Sequence, residues 1–184
     1  RVAAIDPENR TIRTAKPYHG YGYRKGQRYY ALNVLAELDA PGEWCVDAAG
    51  ETLYFWPPSP LEGKPVYVPT TRTILQLDGA KNVTLRGLTF ECCDGTAVTV
   101  EDSEACLVAG CTIRNVGDYD GNGVSVSGGT GTGVVGCDIH DVGREGIALS
   151  GGDQRTRTPA GNYAENNHIR QTGVFYKQGA GIMV

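Results

Sequence analysis

A short two-part phrase returns four times between Ile74 and Val184, and a chain that repeats itself this way has few folds open to it. One part ends on a bulky apolar residue: Gly87-Leu88-Thr89-Phe90, Gly110-Cys111-Thr112-Ile113, Gly136-Cys137-Asp138-Ile139 and Asn166-Asn167-His168-Ile169. From Phe90 to Ile113, Ile139 and Ile169 the steps are 23, 26 and 30 residues. The other part follows each copy after a Gly-containing turn: Ala97-Val98-Thr99-Val100, Gly123-Val124-Ser125-Val126, Gly146-Ile147-Ala148-Leu149 and Gly181-Ile182-Met183-Val184. Ile74-Leu75-Gln76-Leu77 is an earlier copy of the second part with no preceding partner. A period of this kind decides the architecture before any single element does.

Within each copy, apolar and polar residues alternate in short segments, which is strand periodicity. No copy holds the 10–12 residues of helical spacing that a βαβ unit or a leucine-rich horseshoe needs. A short apolar strand face recurring every ~25 residues is buried by coiling, with equivalent strands stacked about 4.8 Å apart. The expected fold is therefore all-β: a right-handed parallel β-helix of about five partial rungs over 73–184, preceded by a hairpin-bearing segment over 1–72. Leu75/Val98/Val124/Ile147/Ile182, Leu77/Val100/Val126/Leu149/Val184 and Phe90/Ile113/Ile139/Ile169 form the inward ladders. Gln76, Thr99, Ser125, Ala148 and Met183 face outward, as do Thr89, Thr112, Asp138 and His168 beside Glu91, Arg114, His140 and Arg170. A slip of one residue would bury Asp138 and expose Ile139, and that cost sets the register. An antiparallel sandwich is the competing architecture, but it requires neither the near-constant period nor matched residue classes.

Composition narrows the partners. Twenty-six Gly and nine Pro with 8% aromatic residues suit a turn-dense β protein. The net charge is −4 and the basic residues are dispersed, which disfavours nucleic acid and anionic membrane surfaces. No apolar run approaches membrane-spanning length, and RVAAIDPENR does not read as a signal peptide. Val184 ends a copy of the phrase, so the chain is expected to be part of a longer helix whose parent protein is secreted or periplasmic.

The six cysteines read as core thiols. Cys111 and Cys137 share one inward rung position with Leu88 and Asn167, Cys92 and Cys93 fall in a turn, and Cys106 in a strand. No pair has C-x-x-C spacing, so neither a zinc site nor any other metal or cofactor is expected. Ahead of the repeat, residues 1–30 read as loop-rich, with Tyr18, Tyr21, Tyr23, Tyr29 and Tyr30 among Gly and Arg. Asn33 to Leu38 has room for a short helix with Asn33 as N-cap. Glu43–Asp47 and Glu51–Trp56 read as a β-hairpin, and Lys64–Val68 as a further short strand.

Particular phrases carry a family resemblance. They are Tyr29-Tyr30-Ala31-Leu32-Asn33-Val34-Leu35, Asp39-Ala40-Pro41-Gly42-Glu43-Trp44, and Gly50-Glu51-Thr52-Leu53-Tyr54-Phe55-Trp56-Pro57-Pro58. Gly151-Gly152-Asp153, Thr158-Pro159-Ala160-Gly161-Asn162 and Glu165-Asn166-Asn167-His168-Ile169 extend it. Over roughly residues 25–184 the chain resembles bacterial right-handed parallel β-helix glycoside hydrolases, the group that includes α-L-fucosidase and xylanase members. The resemblance implies a hairpin interrupting the early helix, and catalytic carboxylates supplied by rungs later than these.

Glycoside hydrolysis needs two carboxyl groups about 5–5.5 Å or 6.5–9.5 Å apart, and equivalent turn positions on neighbouring rungs give such spacings. The turn before the second part carries Asp94, then Asp118 and Asp120, then Arg144 and Glu145. Asp120 and Glu145 are the candidate catalytic acids. Asp118, Tyr119, Arg144, Asp153 and His140 are the candidate substrate contacts, with a carbohydrate as partner. Each acid also has a plain reading as a turn residue bonded to its own backbone. A polysaccharide lyase would instead use a base among Arg114, His140, Arg144 and Arg170 with Ca²⁺ or a cationic side chain. A carbohydrate-binding or adhesin-type β-helix would use the same groove without an acid pair.

Overall fold

The computed structural model describes residues 2–16, 20, 22–29 and 31–184. Tyr18, Tyr21 and Tyr30 lie outside the described residues. The chain forms two compact units, Arg1–Pro65 and Val66–Val184.

The second unit is a parallel coil. Each turn contributes one strand to each of three sheets. The first sheet stacks Leu75–Asp78, Val98–Glu101, Val124–Ser127, Ile147–Leu149 and Ile182–Met183. The second stacks Thr84–Arg86, Leu107–Ala109, Gly133–Val135 and Tyr163–Glu165. The third stacks Thr89–Cys93, Thr112–Val116, Asp138–Val142 and His168–Arg170. Every pairing among them is parallel.

The register is the expected one. Leu75, Val98, Val124, Ile147 and Ile182 are Cα partners in succession, and so are Phe90, Ile113, Ile139 and Ile169. Leu77, Val100, Val126 and Leu149 follow suit, while Val184 lies beyond the last strand, Ile182–Met183. The core is this stack: Val98, Ile113, Val124, Ile139 and Ile147 are all 0% exposed. Burying each aliphatic side chain contributes about 1.5–3 kcal/mol, so the ladders dominate the stability of this unit.

The second sheet went unread in the sequence because its strands are three residues long. Each offers only its middle residue to the core: Leu85, Val108, Val134 and Ala164, in register. One inward residue per rung produces no alternation. The coil turns its corners with left-handed backbone. Gly87, Gly110, Gly136 and Asn166 occupy one corner column with φ of 64°, 56°, 63° and 50°. Asn tolerates this conformation better than other non-glycine residues, hence Asn166 in a glycine column. Cys92, Asn115, Asp141 and Gln171 (φ 62°, 51°, 54° and 51°) form a second column at the C-terminal ends of the third-sheet strands.

All six cysteines are free, as thiols. Cys111 and Cys137 stack in the interior as expected, and each Sγ points at backbone carbonyls of its own and the preceding rung. Two expectations fail. Cys92 and Cys93 close the strand Thr89–Cys93 instead of lying in a turn, with Cys93 directed inward and in register with Val116 and Val142. Cys106 precedes the strand Leu107–Ala109, its thiol spent on the Ala80 and Glu104 carbonyls.

The first unit contains two antiparallel hairpins. Trp44–Asp47 pairs with Thr52–Phe55 as expected. Val2–Asp6 pairs with Thr11–Thr14, where the sequence suggested only loop, because the turn is built from Asp6 accepting the Asn9 amide. Asn33 does not cap a helix. It has φ 61°, and its side-chain amide pairs with both the N–H and the carbonyl of Val46, standing in for an extra strand residue. The 3-10 turn is Leu35–Glu37, and its N-cap position is Val34. Lys64–Val68 forms no strand, since its backbone finds no ladder partner.

Candidate functional site

The corner leading from the third sheet into the first is where the turns vary in length, and there the charged residues gather. Residues 117–123 join one pair of strands, 143–146 the next, and 171–181 the last. Backbone bonds between rungs bring these turns together. Asp118 N–H donates to the Asp94 carbonyl (2.8 Å), Gly143 N–H to Val116 (2.9 Å) and Arg144 N–H to Gly121 (3.0 Å). The longest turn hangs from the same place, with the amides of Phe175 and Tyr176 both donating to the Gly143 carbonyl (3.0 Å each). A β-carbon at Gly143 would run into the Asp118 carbonyl oxygen, so only glycine lets the turns approach this closely.

A polar column fixes Glu145. Asn122 N–H donates to Thr96 Oγ1 (3.1 Å), and Glu145 N–H donates to Asn122 Oδ1 (3.2 Å). The Glu145 side chain, 3% exposed, is sealed among these turns. Its Oε2 lies 2.8 Å from Arg144 Nε, and Arg144 Nη1 is 3.9 Å from Asp120 Oδ1. The Arg144–Glu145 approach is close in distance but off-axis, because Arg144 Nε and Glu145 Oε1 are both buried without a hydrogen-bond partner. The guanidinium carbon stands 4.9 Å from the centre of the Tyr176 ring, a cation–π contact, and Tyr176 meets Tyr119 edge-on at 5.1 Å. Lys177 Nζ is tied back to the Val174 carbonyl at 2.6 Å.

Asp118 anchors the outer side. It accepts from Arg72 Nη1 (3.1 Å) and from the Asp120 amide (2.9 Å). Partial burial pushes the Asp118 carboxyl up, but the Asp120 amide bond and the Arg72 guanidinium outweigh this and hold it below the usual carboxylate value. Asp94 Oδ1 nearby is buried without a hydrogen-bond partner.

Asp118, Tyr119, Asp120, Arg144 and Glu145 are thus brought to one corner. Asp153 and His140 are not part of it. Asp153 folds its own loop: its backbone pairs with Thr158 and its Oδ1 accepts from the Arg155 and Thr156 amides (2.8 and 3.2 Å). Those Thr156 and Arg155 bonds hold its carboxyl below the usual value. His140 faces outward on the third sheet, in register with Arg114 and Arg170. The two outward-facing histidines differ in exposure: His168 is 72% exposed, whereas His140, at 14%, is tucked against Asp141 with Nδ1 2.7 Å from Oδ2. On that face Arg114 pairs with Glu91 (2.7 Å) and Arg170 approaches Asp138 (3.6 Å).

Sequence reasoning left out Tyr176, Asn122 and Arg72 as site residues. Tyr176 was visible as an aromatic in the longest turn. Asn122 shares a rung position with Thr96 and Glu145, which the repeat alignment could have shown. Arg72 precedes the first rung and had no signal. Among the described residues no group of three or more His, Cys, Asp or Glu is placed to hold a metal ion.

The three-sheet parallel coil defines the fold of residues 73–184 as a right-handed parallel β-helix. Residues 73–156 match the family model described as "right handed beta helix region". No curated protein and no solved structure matches the chain.

Proposed function

We propose that the chain is a section of a carbohydrate-active β-helix protein, of glycoside hydrolase type, that acts on plant or microbial glycans outside the cytoplasm. The supporting observation is the convergence of Tyr119, Asp120, Arg144, Glu145 and Tyr176 from three successive turns onto one corner. Sugars are bound by aromatic edges and faces against their C–H surfaces and by carboxylates and guanidinium groups against their hydroxyls. Tyr119 (61% exposed) and the Asp120 side chain (75%) supply a reachable platform and acceptor. Both arginines of the corner are already matched to carboxylates, which favours uncharged glycans over uronates. In this reading Asp120 is the accessible acid of the pair, and Glu145 is the acid held in reserve behind Arg144.

The seal over Glu145 favours one alternative, a carbohydrate-binding β-helix without turnover. Reducing-end release from neutral oligosaccharides, measured beside calorimetric binding, separates the two. Tyr119→Ala is expected to weaken binding about tenfold, as loss of one aromatic platform does. Full-strength binding by Tyr119→Ala would remove the corner as the glycan site. Unsaturated, ultraviolet-absorbing product from uronates would replace the hydrolase with a lyase.

A further inference from the structure

We infer that Glu145 and Arg144 together form a subsite for a single hydroxyl group of a bound sugar, which bridges Glu145 Oε1 and Arg144 Nε. This rests on the carbohydrate reading above and goes further, to the atoms that select the ligand. Two polar atoms within one ion pair, Glu145 Oε1 and Arg144 Nε, are buried with no hydrogen bond. Glu145 is 2% exposed, and its other oxygen lies 2.8 Å from that same Nε. Six buried side-chain polar atoms of the described residues make no hydrogen bond, and these two are set apart because they belong to the two members of one ion pair, where an unmet charge is costliest. Here an acceptor and a donor stand side by side.

The chemistry of the missing partner follows from that pairing. A carboxylate or sulfate offers no proton to Oε1 and is repelled by it. An ammonium group donates to Oε1 but offers nothing to Nε–H. A hydroxyl does both at once, donating its hydrogen to Oε1 and accepting from Nε. Entry is governed by Arg144, whose side chain is 37% exposed and rests on Tyr176. A cation–π contact has no fixed bonding direction, so the guanidinium slides over the ring and admits the hydroxyl without leaving it. Asp120, 3.9 Å from Nη1, receives the displaced end.

The test uses a panel of neutral xylo-, cello- and fucosyl-oligosaccharides on the whole chain, in crystals and by calorimetry. The expected result is a sugar hydroxyl within about 3 Å of both Glu145 Oε1 and Arg144 Nε, hydrogen-bonding distance. E145Q, confirmed folded by circular dichroism, should lose tenfold or more in affinity, and so should R144K. A sugar seated on Tyr119 and Asp120 with a water on Oε1, or with Nε closed directly onto Glu145, overturns the subsite and leaves the function standing. Wild-type affinity in folded E145Q does the same. If no sugar of the panel occupies the corner, function and subsite fall together.

Discussion

Arg144 Nε lies 2.8 Å from Glu145 Oε2, yet the two are not aligned for a hydrogen bond, and the guanidinium leans instead on the Tyr176 ring 4.9 Å away. The pair therefore gains Coulomb energy and stacking without the bond that normally accompanies them. Removing one member leaves the other charge buried alone. Arg144→Ala should cost about 2–4 kcal/mol in urea unfolding, somewhat below a fully buried pair because Arg144 is partly exposed. The double variant R144M/E145Q should recover most of that loss. Additive losses in the double variant would show that the two residues are not coupled.

Ile139 is sandwiched between Ile113 and Ile169 in the third-sheet ladder and is fully buried. Ile139→Ala should cost about 2–5 kcal/mol, the range for a core methyl cavity. Ile169, only partly buried, should cost roughly half as much. Chemical denaturation of the two variants side by side measures the gradient. Equal losses would mean that Ile169 is covered as fully as Ile139.

Gly143→Ala puts a methyl group against the Asp118 carbonyl, backbone against backbone, with no flexible side chain to yield. A destabilisation above about 2 kcal/mol is expected, with Tyr176 and Tyr119 losing their edge-on contact. Near-ultraviolet circular dichroism reports the tyrosine pair independently of global stability. A wild-type spectrum and midpoint in Gly143→Ala would contradict the close approach of the turns.

Acid should loosen the corner before it melts the coil. The Asp118 carboxyl titrates below its ordinary value in the folded chain, so the unfolded chain binds its proton first as pH falls. The stabilisation is complete above the ordinary aspartate value near pH 4 and is lost as pH drops through the lower folded value. Asp6, Glu104 and Asp153 are shifted the same way, so Asp118→Asn removes only part of the acid limb. Thermal melts between pH 2 and pH 7 should show that reduced slope in the variant. An unchanged slope would detach Asp118 from Arg72.

Thiol chemistry offers a check on the core. Five cysteines are buried, and burial pushes the Cys93 and Cys137 thiols up. Only Cys92 is partly exposed. One equivalent should react with iodoacetamide in the native state, mapped by mass spectrometry to Cys92. Rapid labelling of Cys111 or Cys137 would place the interior stack elsewhere.

The inward ladders of the first and third sheets were legible because Val98, Val124 and Ile147 alternate with polar residues at a steady period. The middle sheet was hidden, since Leu85, Val108 and Val134 each stand as a single inward residue without alternation. The acids of the corner were legible as turn residues, but their roles were not. Glu145 and Asp120 look equivalent as letters, and their burial, 2% for Glu145 against a 75% exposed Asp120 side chain, depends on how three turns pile up. Asn33 shows the same limit: an asparagine ahead of a short helical stretch suits a cap, and what it does is complete a hairpin 13 residues away.

The loop from Asp153 to Gly161 lengthens one circuit, yet Val124 still meets Ile147 before it and Val134 still meets Ala164 after it. Bends in this molecule tolerate growth that its straight runs forbid. A lineage building on such a coil can graft new contacts onto its bends one at a time while the cylinder beneath keeps its pitch.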